Sequence, residues 1–126
     1  MKYYIIAGEA SGDLYGSKLI DEIFLIDKKA EIRFWGGDNM IKSGGYNVKH
    51  IKELAFMGFY EVLKNIITIV RNISFCKNDI KEFNPDKIIY IDYPGFNLKI
   101  CKWAKNNGYK NFFYISPQIW AWKENR

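Results

Sequence analysis

Lys87-Ile88-Ile89-Tyr90-Ile91 restricts the fold more than any other segment of the chain. It is almost wholly apolar, so side chains on both of its alternating faces have to be buried. That is the mark of a central strand in a parallel sheet covered by helices on both sides. Asn84-Pro85-Asp86 breaks the chain ahead of it, because proline disfavours a helical residue before it. Asp92-Tyr93-Pro94-Gly95 forms its exit loop. A helix is then predicted from Phe96 to Asn107, with Gly108 as its stop.

The other segments suit such a sheet. Lys2 to Ala7 and Glu31 to Trp35 are β-branched and aromatic runs closed by glycine, and both read as strands. Between them, Gly8 to Asp13 is a glycine-punctuated turn. A helix follows it, with Leu19, Ile20, Ile23 and Phe24 at helical spacing and Ser11 or Asp13 as its cap. Asp38 can cap a brief helical turn that Gly44-Gly45 stops, and Tyr46 to Ile51 is extended. Gly58 to Phe83 carries a long helical pattern with no proline and no further glycine, and Asn111 to Ile115 is the last strand. Strands alternating with helices give an α/β fold with a parallel, Rossmann-like sheet and flanking helices. A sheet of this type normally returns through another helix, yet only about ten residues follow the fifth strand. The chain reads as the front part of something longer.

With 126 residues there is room for one domain. Its 48% hydrophobic and 26% charged residues are too apolar for disorder and ordinary for a globular core. No apolar run approaches the ~20 residues of a membrane-spanning helix, and the N-terminal run is too short for a signal peptide. Cys76 and Cys101 are too few for a disulfide framework and lack metal-ligand spacing. These features describe a soluble, reduced, cytosolic domain. The net charge of +5 suits an anionic ligand or surface. The basic residues are spread along the chain, without an aromatic RNA-binding motif or zinc-finger spacing, which argues against nucleic acid.

In doubly wound sheets ligands bind beyond the carboxyl ends of the strands. Three loops lie there: Gly8–Asp13, Asp92–Asn97 and Ser116–Trp122. The first leads into a helix N-terminus, an anion or hydroxyl site, although Gly8, Gly12 and Gly16 do not fit a dinucleotide fingerprint. Asp92 follows the most buried strand, and is either a general base or a turn-forming cap of the next helix. Glu9 carries the same ambiguity. His50, the single histidine, has no carboxylate or cysteine at catalytic spacing and reads as structural. Phe59, Val62, Leu63, Ile66, Ile67 and Val70 recur at three- and four-residue steps. Such a stripe is either core packing or a patch for acyl chains and the membrane interface.

Five strings carry a resemblance to a known family. They are Ala7-Gly8-Glu9-Ala10-Ser11-Gly12-Asp13, Trp35-Gly36-Gly37-Asp38-Asn39-Met40, the run from Glu53 to Leu63, Ile91-Asp92-Tyr93-Pro94-Gly95-Phe96-Asn97, and the run from Tyr114 to Trp122. In this order they resemble the lipid-A-disaccharide synthase family of glycosyltransferases.

The resemblance implies the N-terminal domain of a GT-B enzyme, two Rossmann-like domains facing a cleft. Residues 1–126 would be the acceptor-side domain, incomplete at its C-terminus and lacking the UDP-sugar-binding C-terminal domain. The family's reaction joins UDP-2,3-diacylglucosamine to 2,3-diacylglucosamine 1-phosphate, with inversion and with no required metal or other cofactor. Asp92 would be the catalytic base on the acceptor hydroxyl. Gly8, Glu9, Ser11, Gly12, Asn97, Ser116 and Trp120 would contact substrate. The stripe from Phe59 to Val70 would accept acyl chains and hold a cytoplasmic, peripheral protein on the inner membrane. This fragment alone would be inactive. One departure stands out: Gly95 occupies a position where the family usually carries an acidic residue. A rival from another class is a non-catalytic Rossmann-like nucleotide- or anion-binding module. Another is a partner of a separately encoded donor domain.

Overall fold

A computed structural model describes residues 1–53 and 58–114, with the backbone alone over 58–65. Five strands, β1 (Lys2–Ala7), β2 (Glu31–Gly36), β3 (Tyr46–His50), β4 (Lys87–Ile91) and β5 (Asn111–Tyr114), form one sheet in the order β3-β2-β1-β4-β5. Every pairing is parallel. Four helices link them: α1 (Ala10–Ile26), α2 (Asp38–Ser43), α3 (Gly58–Phe83) and α4 (Pro94–Asn106). A short 3₁₀ turn over Ile51–Glu53 follows β3. The expected α/β, Rossmann-like sheet is therefore present.

β1 is the central strand, and Tyr4, Ile5, Ile6 and Ala7 are all fully buried. Alternation sends Ile5 and Ala7 to one face, with Ile32, Phe34 and Ile91, where Ile20 and Ile23 of α1 and Met40 of α2 close the core. Tyr4 and Ile6 go to the other, with Trp35, Ile88 and Tyr90, beneath Cys76 and Ile80 of α3 and Ile100 and Ala104 of α4. β4 is flanked by β1 and β5, as its apolar sequence requires.

The α3–α4 face also buries a polar chain. Trp35 Nε1 donates to the Tyr4 hydroxyl (2.7 Å), which donates to Asp79 (2.8 Å). Asp79 in turn pairs with Arg33 at 2.7 Å. Burial first, then the neighbouring Cys76 and Asp79, pushes the Tyr4 phenol far above its ordinary range. Burial pushes the Cys76 thiol up as well, so it serves as a small apolar side chain; both cysteines are free.

Three local expectations need correction. First, α1 begins at Ala10, not after Asp13, with Glu9 at its N-cap, and Ser11 and Asp13 lie inside its first turns. Asp13 is instead turned toward α2. Its Oδ1 accepts from the backbone N–H of Gly37 (2.8 Å) and Met40 (3.0 Å), and its Oδ2 from Asn39 (3.1 Å). A side chain from one helix thus caps another, the work expected of Asp38. Second, Asp38 instead meets His50, Oδ1 to Nε2 at 2.9 Å, so the histidine does have a carboxylate partner. Third, α4 begins at Pro94, two residues early, with proline in its first turn. Tyr93 ahead of it is left-handed, at φ 51° and ψ 54°, and is the N-cap of α4.

The end of α4 matches the glycine stop. Gly108 is left-handed (φ 83°), Tyr109 N–H donates to Ala104 O (3.0 Å) and Gly108 N–H to Lys105 O (3.2 Å). That is the Schellman pair of bonds.

Candidate functional site

The carboxyl ends of β1 and β4 are neighbours, with Ala7 in register with Ile91, so the two loops that follow them meet above the sheet. The helices they enter, α1 and α4, both aim their N-termini at this point. In α1 the first helical bond is Asp13 N–H to Glu9 O, at 2.9 Å. The N–H groups of Ala10, Ser11 and Gly12 therefore have no partner inside the helix and favour negative charge in front of them.

Close approach decides where glycine is needed. A Cβ on Gly8 would stand 2.4 Å from Cδ2 of Tyr93, so the ring lies directly on the glycine backbone. On Gly12 it would stand 3.1 Å from the Ala7 Cβ and 3.5 Å from Ile91 Cγ2, where α1 passes over the strand ends. Gly12 is buried, Ser11 half-buried and Glu9 exposed. Glu9 and Ser11 are thus the polar side chains of this loop that reach toward solvent, beside the exposed Ala10, while the two glycines let other groups close in.

Asp92 sits at the end of β4, buried, with its N–H donating to Tyr114 O at 3.0 Å. Its backbone is left-handed, as is that of Tyr93 (φ 47° and 51°), which costs about 1–2 kcal/mol per residue. Asn97 offsets part of this. The fully buried Asn97 donates both amide hydrogens to backbone, to Asp92 O at 2.8 Å and to Ile6 O at 3.3 Å. One side chain therefore ties the ends of β1 and β4 together beneath the Asp92 turn. Its Oδ1 is buried without a hydrogen-bond partner among the described residues.

Tyr93 lies between Gly8 and Phe96, stacked on the latter with ring centroids 5.4 Å apart. Burial, and then the charge of Glu9, raises its phenol above the usual value. Sequence reasoning missed what Tyr93 and Asp13 do here, because Gly8 and the start of α2, which they meet, lie far away along the chain. Gly95 has nothing within 4 Å of where a Cβ would point, so the position is open to a side chain.

The arrangement supplies a buried carboxylate on a braced turn just ahead of α4, next to the β1–α1 loop with its unpartnered helical N–H groups and its exposed acid, Glu9. That is equipment for holding a hydroxyl-bearing, anionic ligand and taking a proton from it. Among the described residues no group of three His, Cys, Asp or Glu side chains could hold a metal ion. Ser116 and Trp120 lie outside the described residues, as do the side chains of Phe59, Val62 and Leu63. Ile66, Ile67 and Val70 are 52%, 63% and 60% exposed, so the described residues leave this part of the stripe uncovered.

Residues 3–126 match the family model described as lipid-A-disaccharide synthetase. The chain belongs to the lipid-A-disaccharide synthase family. Curated relatives carrying that name include those of Trichlorobacter lovleyi and Geobacter metallireducens, each 42% identical over 122 residues, 97% of this chain and 32% of theirs. The relative from Xanthomonas oryzae pv. oryzae is 39% identical over 125 residues, 99% of this chain and 29% of its own. The chain thus spans about a third of the length of the lipid-A-disaccharide synthases it matches. The all-parallel sheet is consistent with the N-terminal domain of a two-domain glycosyltransferase of that family. No described helix is long and apolar enough to cross a membrane.

Proposed function

We propose that this chain is the acceptor-side part of a lipid-A-disaccharide synthase, incomplete without a UDP-sugar-binding portion and inactive alone. The substrates are UDP-2,3-diacylglucosamine and 2,3-diacylglucosamine 1-phosphate. The observation that carries this reading is Asp92 on its braced left-handed turn, just ahead of α4 and beside the carboxyl end of β1, in a chain matched to the family from residue 3 to 126.

The chemistry follows from those parts. The Asp92 carboxylate accepts the proton of the acceptor 6-hydroxyl as its oxygen bonds to C1 of the donor sugar. The C1–O bond to UDP breaks on the opposite face, so the anomeric centre inverts and UDP leaves with the electron pair. The N–H groups at the start of α1 hold polar groups of the acceptor sugar near Gly8, Glu9, Ser11 and Gly12. Asn97 works from below, fixing the turn that aims Asp92. The exposed Ile66, Ile67 and Val70 support a peripheral seat on the inner membrane, where both lipid substrates reside.

The test is co-expression of this chain with the remaining portion of the Trichlorobacter lovleyi relative, followed by an assay of disaccharide formation from the two lipid sugars. The pair makes disaccharide and this chain alone makes none. Asp92→Asn in the pair lowers turnover by about 10²–10⁴-fold, the usual contribution of a general base, with little change in KM. Full activity with Asp92→Asn, or activity of this chain alone, refutes the reading.

A further inference from the structure

Asp92 and Tyr93 are consecutive left-handed residues, and neither is a glycine. Two such residues in a row persist only where the surroundings hold them, and strain of this kind gathers at functional sites. Asn97 holds the Asp92 carbonyl from below. For Tyr93 the grip is on the ring. A Cβ on Gly8 would lie 2.4, 2.5 and 2.6 Å from its Cδ2, Cγ and Cε2. A point nearly equidistant from three consecutive ring atoms lies over the face, not at the edge, so the Gly8 backbone rests on the flat of the ring. The other face meets Phe96, with the two ring planes 25° apart. Phe96 is itself buried and packs against Trp35 of β2, ring centroids 5.2 Å apart.

Both faces of the Tyr93 ring are therefore taken, and neither is free to stack on a sugar. What the ring fixes is a gap. Gly8 opens the loop after β1, and Tyr93 follows directly on Asp92 at the end of β4. A ring in contact on both sides sets the spacing of its neighbours, at about 3.5–4.0 Å from carbon to carbon on each side. Phe96, anchored against Trp35 in the core, keeps the ring from retreating.

We propose that Tyr93 is a positioning residue: its ring is the spacer that sets the Asp92 carboxylate against the Gly8–Gly12 loop, where the acceptor sugar is held. This rests on the synthase reading above. Asn97 ties the Asp92 turn to β1 itself through Ile6 O, and Tyr93 ties the same turn to the loop that follows β1. Two ties at different points leave the turn little freedom to swing. The group that takes the proton and the loop that presents the hydroxyl then keep a fixed separation. Proton transfer depends on that separation, and a misplacement of about 1 Å costs on the order of 10²-fold in rate.

The test uses this chain co-expressed with the remaining portion of the Trichlorobacter lovleyi relative, with kcat and KM measured per folded enzyme. Tyr93→Ala lowers kcat by about 10–100-fold with KM little changed. Tyr93→Phe keeps both ring faces and recovers most of that loss. Tyr93→Leu keeps apolar bulk without a flat face and behaves like Tyr93→Ala, so it carries the same expectation if the alanine variant does not fold by circular dichroism. Tyr109→Ala removes a ring stacked on Trp103 at the far end of α4, lowers the melting point and leaves kcat unchanged. A Tyr93→Phe loss as large as that of Tyr93→Ala overturns the proposal, because the phenol and not the ring would then be acting. So does a Tyr93→Ala variant that loses only melting temperature, or that raises only KM. A pair that falls with Asp92→Asn but is indifferent to Tyr93→Ala sinks this inference and leaves the synthase reading standing. A parent pair that makes no disaccharide refutes that reading, and the role of Tyr93 in the reaction with it.

Discussion

Asp13 holds three backbone N–H groups of a helix it does not belong to, and it is almost wholly buried. Asp13→Ala strands those donors away from water, at a cost of about 3 kcal/mol. Asp13→Asn does not restore them, because an amide turns one acceptor into a donor facing N–H groups. Thermal or urea unfolding of the two variants checks both statements, and a melting point like that of the parent would refute them. Gly8 makes a second residue-level case. Gly8→Ala drives a methyl into the Tyr93 ring, so we expect a loss of about 2 kcal/mol. Most of that loss should vanish in a Tyr93→Ala background, because the three nearest atoms to the new methyl all belong to that ring. Additive losses in the double-mutant cycle would show that the methyl meets something else. Neither position was readable as such from the sequence. Asp13 sits in a loop-like string with glycine on one side, and nothing local reveals that its oxygens reach residues 24 to 27 positions away.

Among the elements, α2 with β3 and α3 give the clearest measurements. Asp38 opens α2 and meets His50 at the end of β3, and this hydrogen bond is the main cause that holds its carboxyl below the usual carboxylate range. A lowered carboxyl stabilises the fold above its unfolded-state pKa, and that contribution is lost as pH falls through the lowered value. Asp38 is exposed, so the effect on stability is small and the titration itself is the better readout. The Asp38 carboxyl should titrate at lower pH in the parent than in His50→Ala, by NMR. Equal midpoints would contradict the contact. In α3 the three exposed apolar side chains at 66, 67 and 70 contribute about 4.5 kcal/mol gross on a bilayer at ~1.5 kcal/mol each. Sedimentation with anionic liposomes should therefore show binding that resists added salt and drops with Ile66→Asp. No binding at either low or high salt would remove the membrane from this element's role.

At the scale of the molecule, the succession of strands and helices along the chain was legible because most strands carry an apolar run and the longer helices a periodic one, while β3, with Asn47, Lys49 and His50, was read only as extended. The β4 run announced burial on both sides, and the sheet places it between β1 and β5. Helix starts were less legible. α1 and α4 begin earlier than their capping residues suggested, because Asp13 is occupied by α2 and Pro94 opens α4 itself. Of the site, Asp92 and the Gly8–Gly12 loop could be located by their place after strands. The bracing amide of Asn97 and the ring of Tyr93 could not, since both act across the β1–β4 junction and the chain separates those strands widely.

That separation has a consequence for synthesis. β1 is made first, yet one of its edges pairs with β4, Tyr3 beside Lys87 and Ala7 beside Ile91. On a ribosome, β1, β2 and β3 can assemble once His50 has emerged, but about 40 more residues must follow before β4 arrives. At roughly 5–20 residues per second, the central strand of the sheet shows an open edge for about 2–8 s. During that interval the nascent chain is a three-stranded half-sheet inviting strands from its neighbours.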